Sequence, residues 1–208
     1  MAERLAFFAT KNEIESYFNI ETKKENLFEP NYNIPPGTQI PAVFADENED
    51  ALLIKQTRWG AESGDLEKRT TIHQEELTEK NSAKRCVLPL SGFYVWKHKQ
   101  KNEHPFFVRM LNSPVMAVAG LIFEDNGEFV RIITTESNPL IQPMSRNMPL
   151  LLDATTSGEW LDSSNSLTEV MENTSNLFAL TDLSVLRVSR KVNDLTNNDP
   201  KLIQPIPK

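Results

Sequence analysis

The stretch RCVLPLSGFYVWKHK, residues Arg85–Lys99, carries two runs of β-favouring residues that meet at Ser91-Gly92. Arg85–Leu90 reads as one strand and Phe93–Lys99 as the next. In the second run, alternation puts Phe93, Val95 and Lys97 on one face and Tyr94, Trp96 and His98 on the other. On these residues alone Val95 is an ordinary buried strand residue.

The pattern extends on both sides. Ile40–Ala45 and Ala51–Arg58 read as strands joined by the acidic turn DENED. Downstream, Phe106–Leu111, Val115–Phe123 and Glu128–Thr135 alternate in the same way, with turn signals at Asn112–Pro114 and Glu124–Gly127. Thr10 and Glu13 have capping-box spacing ahead of Ile14, Tyr17 and Phe18, so a short helix is expected there. Helical tendency returns at Gln74–Lys80, Pro139–Ser145, Thr156–Leu161 and Ser166–Glu172, and strands are expected at Phe178–Leu180 and Val185–Val192. No repeat, low-complexity tract or linker divides the chain, so residues 1–208 are expected to form a single domain. The class is α+β: a mostly antiparallel sheet or open barrel with peripheral helices.

Composition narrows the function. The chain has 208 residues, ample for a hydrophobic core, and no apolar run of the ~18 residues a membrane span needs. The start, MAERLAFFAT, is too short and too acidic for a signal peptide. One cysteine, Cys86, rules out an internal disulfide framework and fits a reducing compartment, so a cytoplasmic location is expected. Cys86 lies in an apolar strand pattern, which favours a buried structural thiol over a reactive one. His73, His98 and His104 lack ligand spacing, although His98 and His104 could face each other across KQKNE, and no metal is expected. The seven glycines form no phosphate loop, so no nucleotide cofactor is expected.

The formal charge is −7, but it is unevenly placed. Residues 43–79 hold ten acids and four bases, whereas residues 80–109 hold seven bases and one acid. Within the basic segment, Tyr94, Trp96, Phe106 and Phe107 flank Lys97–Lys101, a weak signal for stacking on a single strand against the simpler reading of a solvated hairpin tip. The proline-rich YNIPPGTQIP (Tyr32–Pro41) is an extended loop entering a strand.

Taken in order, MAER, YNIPPGTQIP, Trp59-Gly60, RCVLPLSGFYVW, VAGLIF, IITTESN, MPLLL, EWL and VSRKVNDL…DPKLIQP resemble the SOS-response-associated peptidase (SRAP) family end to end. The resemblance implies a compact α+β domain around a barrel-like core, single-stranded DNA binding, and capture of an abasic-site aldehyde by an N-terminal cysteine. In that chemistry the α-amine adds to the aldehyde as an imine, and the thiol closes onto it as a thiazolidine. A glutamate in GFYEW and a histidine in H-x-R-M-P handle protons.

Set against that pattern, this sequence differs at each reacting position. Ala2 stands at the nucleophile position, Val95 at the glutamate and Ser145 at the histidine, with Asn147 at the neighbouring arginine. The family's Asn-Ala-Arg aligns with Thr71-Ile72-His73, so Thr71 replaces an asparagine. Acid–base groups are each worth roughly 10²–10⁴ in rate and fail together when they act as a unit. The full reaction is therefore not expected. Arg4, Asn33, Trp59, Arg85, Thr134, Thr135, Met148 and Pro149 match positions that line the family's cleft, so single-stranded or abasic-site DNA is the expected partner. Ala61-Glu62-Ser63-Gly64-Asp65 brings two acids where the family has apolar residues, which is expected to weaken or abolish that binding. Three functions stay open: a non-catalytic SRAP-like protein, residual imine chemistry at an Ala2 α-amine, or a cleft turned to a peptide or other ligand.

Overall fold

The computed structural model describes residues 4–23, 27–46, 51–61, 70–78, 84–99, 102–124, 127–174 and 182–206. The strands are β1 (Arg4–Phe7), β2 (Asn31–Ile34), β3 (Gln39–Ala45), β4 (Leu52–Trp59), β5 (Thr71–His73), β6 (Arg85–Leu90), β7 (Gly92–Lys99), β8 (Asn102–Met110), β9 (Met116–Glu124), β10 (Glu128–Glu136), β11 (Asn147–Pro149), β12 (Leu151–Leu152) and β13 (Leu183–Arg187). Among the described residues three helices accompany them: α1 (Lys11–Phe18), α2 (Ala154–Leu161) and α3 (Leu167–Thr174).

Two sheets divide the work. The larger runs β11-β10-β4-β3-β6-β9-β12, and the extra pairing of β10 with β9 closes β10, β4, β3, β6 and β9 into a ring. Closure leaves those five strands without an open edge and explains their apolar inner residues, among them Ala42, Cys86, Val118 and Ile132. Pairing is antiparallel except where β10 meets β4 and β5. The smaller sheet runs β13-β8-β7-β1-β2 and is antiparallel throughout. The chain is thus α+β with a mostly antiparallel barrel-like core and peripheral helices.

The corner between β6 and β7 joins the two sheets and has a residue-level cause. Ser91 Oγ accepts the N–H groups of Phe8 (2.9 Å) and Ala9 (3.0 Å), which ties the end of β1 to the corner. At Gly92 a Cβ would fall on the Val108 carbonyl oxygen and the Phe107 ring, so only glycine lets β8 approach this closely.

The expected alternation along β7 holds, and both faces are buried. Phe93 and Val95 belong to the main core with Leu5, Val108 and the barrel interior. Tyr94 and Trp96 pack with Ala6, Phe107, Val188, Val192 and Leu202 in a second cluster beneath the C-terminal segment.

The Thr10 capping box forms as its spacing implies: Glu13 N–H donates to Thr10 Oγ1, and Glu13 Oε2 accepts from Thr10 N–H at 2.7 Å. Three expectations are corrected. Pro139–Ser145 is not a helix but a series of turns, with Ile141 and Gln142 both donating to Asn138 O; Pro143 has no N–H to continue a ladder. Within residues 74–78 of the expected helix Gln74–Lys80 only a 3₁₀ turn forms, at Gln74–Glu76, because Leu77 is extended; Glu79 and Lys80 lie outside the described residues. The last strand ends at Arg187, after which Ser189 caps a 3₁₀ turn at Arg190–Asn193. Phe178–Leu180 lies outside the described residues. Among those described, no helix is long and apolar enough to cross a membrane.

Candidate functional site

The residues singled out by the sequence fall into two groups on two sheets. On the smaller sheet, β1 is paired with β7 so that Arg4 stands opposite Tyr94 and Leu5 opposite Phe93, which sets the chain's first described residue beside Val95. Ala2 lies outside the described residues. Val95 has no solvent exposure and faces Phe106 across the strand pair. An isopropyl group in that place can neither give nor take a proton.

On the larger sheet, the second half of β10 gathers the rest. Thr134 is flanked by His73 on one side and Pro149 on the other, while Ile132 pairs with Thr71 and Thr135 with Met148. Thr71 and Met148 are buried. Thr134 Oγ1 is also buried and reaches the Ile72 carbonyl at 3.4 Å. Ser145, 6% exposed, donates its hydroxyl to Asn147 O at 2.6 Å. That proton is held in a local turn. His73 caps the 3₁₀ turn that follows it: Nδ1 accepts from Glu75 N–H at 3.4 Å, and Glu76 Oε1 accepts from His73 N–H. The two groups are not separate modules. Val95, Ile72, Ile141 and Met148 all belong to one continuous apolar core.

Several residues matched to the cleft have structural partners. Trp59 is fully buried, and its indole N–H donates to Thr70 O at 3.2 Å, anchoring the start of β5. In that position the ring has no face for a nucleobase. Asn33 is 2% exposed, and its amide nitrogen lies 3.1, 3.0 and 3.1 Å from the carbonyl oxygens of Val192, Asp194 and Asn197. Its Oδ1 is a buried acceptor with no protein partner. Arg85 turns toward α2, with its guanidinium 5.3 Å from the Trp160 ring. Hydrogen bonds from Ser164 hold the Asp162 carboxyl below the usual carboxylate range, and the Arg85 charge adds to that. Arg4 and Lys97 stand on the smaller sheet and Arg85 on the larger, so the three bases do not share one sheet. The acidic segment 62–65 lies outside the described residues.

Sequence patterning missed the polar fastening of the C-terminal segment. Trp96 Nε1–H donates to Asn193 Oδ1 at 2.9 Å, and Tyr94 O–H donates to the Tyr32 carbonyl at 2.7 Å. Tyr32 N–H in turn donates to Asn198 Oδ1 at 2.8 Å. Each bond spans more than 60 residues, so no local signal announces it. Cys86 is buried in the barrel, and desolvation drives its thiol far above the ordinary range. It offers no nucleophile at neutral pH. The register sets His104 opposite Lys97, and His98 opposite Glu103, so the two histidines do not pair across the hairpin. Among the described residues no group of three or more metal-ligating side chains is gathered.

A five-stranded ring with a second antiparallel sheet, its first strand paired to the GFYVW strand, agrees with the compact α+β domain around a barrel-like core that the SRAP resemblance implies. The sequence model of that family, SOS response associated peptidase (SRAP), matches residues 1–195, and the chain belongs to it. Among curated proteins it is similar to the abasic site processing protein YoqW of Bacillus subtilis, 29% identical with 98% of this chain and 99% of that protein covered. It is also similar to the abasic site processing protein YoaM of the same organism, at 26% identity over 98% and 97%. A solved structure of a protein from Bacteroides thetaiotaomicron superposes with a TM-score of 0.80 at 19% identity, covering 98% and 99% of the two chains. A phage-related protein from Bordetella bronchiseptica gives 0.70 at 19% identity, over 89% and 93%.

Proposed function

We propose that this chain is a non-catalytic SRAP protein: one domain that keeps the scaffold of abasic-site processing and has lost covalent capture of the abasic aldehyde. Val95 carries the reading. At the position where the family resemblance implies a proton-handling glutamate, the chain places an apolar side chain with no solvent exposure. The other substitutions agree with it. Ser145 gives its proton to Asn147 O, and Thr71 is a buried strand residue paired along β10. The kinship with abasic site processing proteins supports a soluble, cytoplasmic partner of single-stranded DNA, with affinity weakened by the acids at Glu62 and Asp65.

The test is incubation with single-stranded DNA carrying one abasic site, followed by boiling in denaturant and electrophoresis. No heat-stable adduct is expected; an adduct that survives boiling overturns the proposal. Imine chemistry at an Ala2 α-amine has its own readout in the same assay. Borohydride would then trap a complex beyond that of an N-acetylated control, whereas the proposal expects no excess.

A further inference from the structure

On the face of the smaller sheet that carries Val95, side-chain chemistry changes within one pleat. Val95 on β7, Phe106 on β8 and Arg187 on β13 are register neighbours in a single row. The next row outward pairs Lys97 with His104. The inner part of this face is core: Phe93, Val95, Val108 and Leu183 are buried in it, and Phe106 and Val185 pack half-buried against it. At its outer edge stand three nitrogen bases from three adjacent strands, Lys97 and His104 half-buried and Arg187 exposed. Residues paired across an antiparallel ladder have Cα atoms about 5 Å apart, so Lys97 and His104 lie side by side. Arg187 completes the group, its Nη2 being 3.2 Å from His104 Nδ1.

The pairing of Arg187 with His104 has one chemical reading. A guanidinium has no lone pair to offer, so Arg187 donates and His104 Nδ1 accepts. The neutral imidazole therefore carries its proton on Nε2, as a donor. The cluster brings an ammonium, a guanidinium and the His104 ring to the edge of the row that holds the half-buried Phe106. Cations that would otherwise repel one another are compensated by an anion, and an aromatic face among them suits an anion that brings a planar base with it.

We propose that Lys97, His104 and Arg187, with Phe106 as a stacking surface, form a landing site for the phosphodiester groups of a single-stranded nucleic acid. The site rests on the reading that the scaffold still takes a single strand, and it names residues for it outside the matched cleft positions. Charge complementarity argues for this occupant. The chain as a whole is at −7, yet this edge gathers bases from strands 83 residues apart in sequence.

The experiment is fluorescence anisotropy of the full chain with a labelled ten-thymidine oligonucleotide at low and moderate salt. The Lys97→Ala/Arg187→Ala double variant is expected to bind at least ~10-fold more weakly. Its plot of log affinity against log salt should be shallower by ~1.4, about 0.7 for each phosphate that is no longer neutralised. Arg109→Ala removes an exposed charge from the opposite face of the same strand and is expected to leave binding within about twofold. Melting curves of all variants are expected to coincide, and a Lys97→Gln/Arg187→Gln pair that keeps the stems must repeat the loss. Inorganic phosphate at matched ionic strength is expected not to displace the strand; displacement by it at equimolar amounts would make this a free-phosphate site and overturn the assignment. Unchanged binding in the double variants, or no binding of the oligonucleotide by the wild type, would also overturn it. A covalent adduct with abasic DNA would refute the non-catalytic reading alone, because these variants are compared on an undamaged strand.

Discussion

The two faces of β7 are held in different ways. Phe93 and Val95 face a dry core where packing is the only force. Tyr94 and Trp96 face the C-terminal segment, where aromatic packing is joined by hydrogen bonds to Tyr32 and Asn193. The polar atoms of Tyr94 and Trp96 both have partners, whereas Phe93 and Val95 carry none. A carboxylate at position 95, where the side chain has no solvent exposure, would lose its water, and its charged form would be disfavoured. Valine there is compatible with this core in a way that a proton carrier is not.

Breaking the dry face should cost most. Val95→Glu is expected to lower stability by about 4 kcal/mol at pH 7, read by denaturant unfolding. Burial raises the new carboxyl's pKa in the folded state. The penalty is therefore smallest below the unfolded value near 4 and grows as pH rises through it. A deficit that does not shrink on acidification would mean that position 95 is wetter than the core described here. The same variant is expected to give no adduct with abasic DNA, because a lone carboxylate restores neither the thiol nor the other groups.

On the fastened face the effects are smaller. Asn33→Ala strands the carbonyls of Val192, Asp194 and Asn197 and should cost about 2 kcal/mol, with faster hydrogen exchange across residues 190–203. Trp96→Phe keeps the ring and removes one hydrogen bond, for about 1 kcal/mol and the same exchange signature at lower amplitude. If either variant left that segment's exchange unchanged, the clasp would not be what holds it. At neutral pH the smallest effect belongs to Cys86. Its thiol, raised by burial, stays protonated in the folded chain while the unfolded thiol ionises near 9. Stability is thus intact below that value and falls by about 1.4 kcal/mol per pH unit above it. Under native conditions at pH 8 a thiol reagent should find no reactive cysteine until the chain unfolds.

Much of the fold was legible because it is written locally. The alternation in Phe93–Lys99, the capping box at Thr10 and the β-rich run from Arg85 to Thr135 are short-range signals, and the strands stand where those signals put them. What escaped was non-local. β1 and β2 are four residues each, too short for a period to show; β1 forms on the edge that β7 offers, and β2 on the edge of β1. The turns at Pro139–Ser145 follow from Pro143 overriding helical residues. At the site, the non-ionisable side chains at Val95 and Ser145 could be read from residue identity. The roles of Asn33 and Trp59 could not, since identity alone cannot distinguish an amide that meets a ligand from one that fastens the chain's own C-terminal segment. The contact between His104 and Arg187 depends on the register of β8 with β13, which no motif encodes.

The most direct measurement is the intact mass of the protein after incubation with an abasic-site oligonucleotide and removal of unbound DNA under denaturing conditions. The account predicts a single species at the mass of the unmodified chain. A second species heavier by the mass of the oligonucleotide, less one water, would show that covalent capture persists and would contradict it.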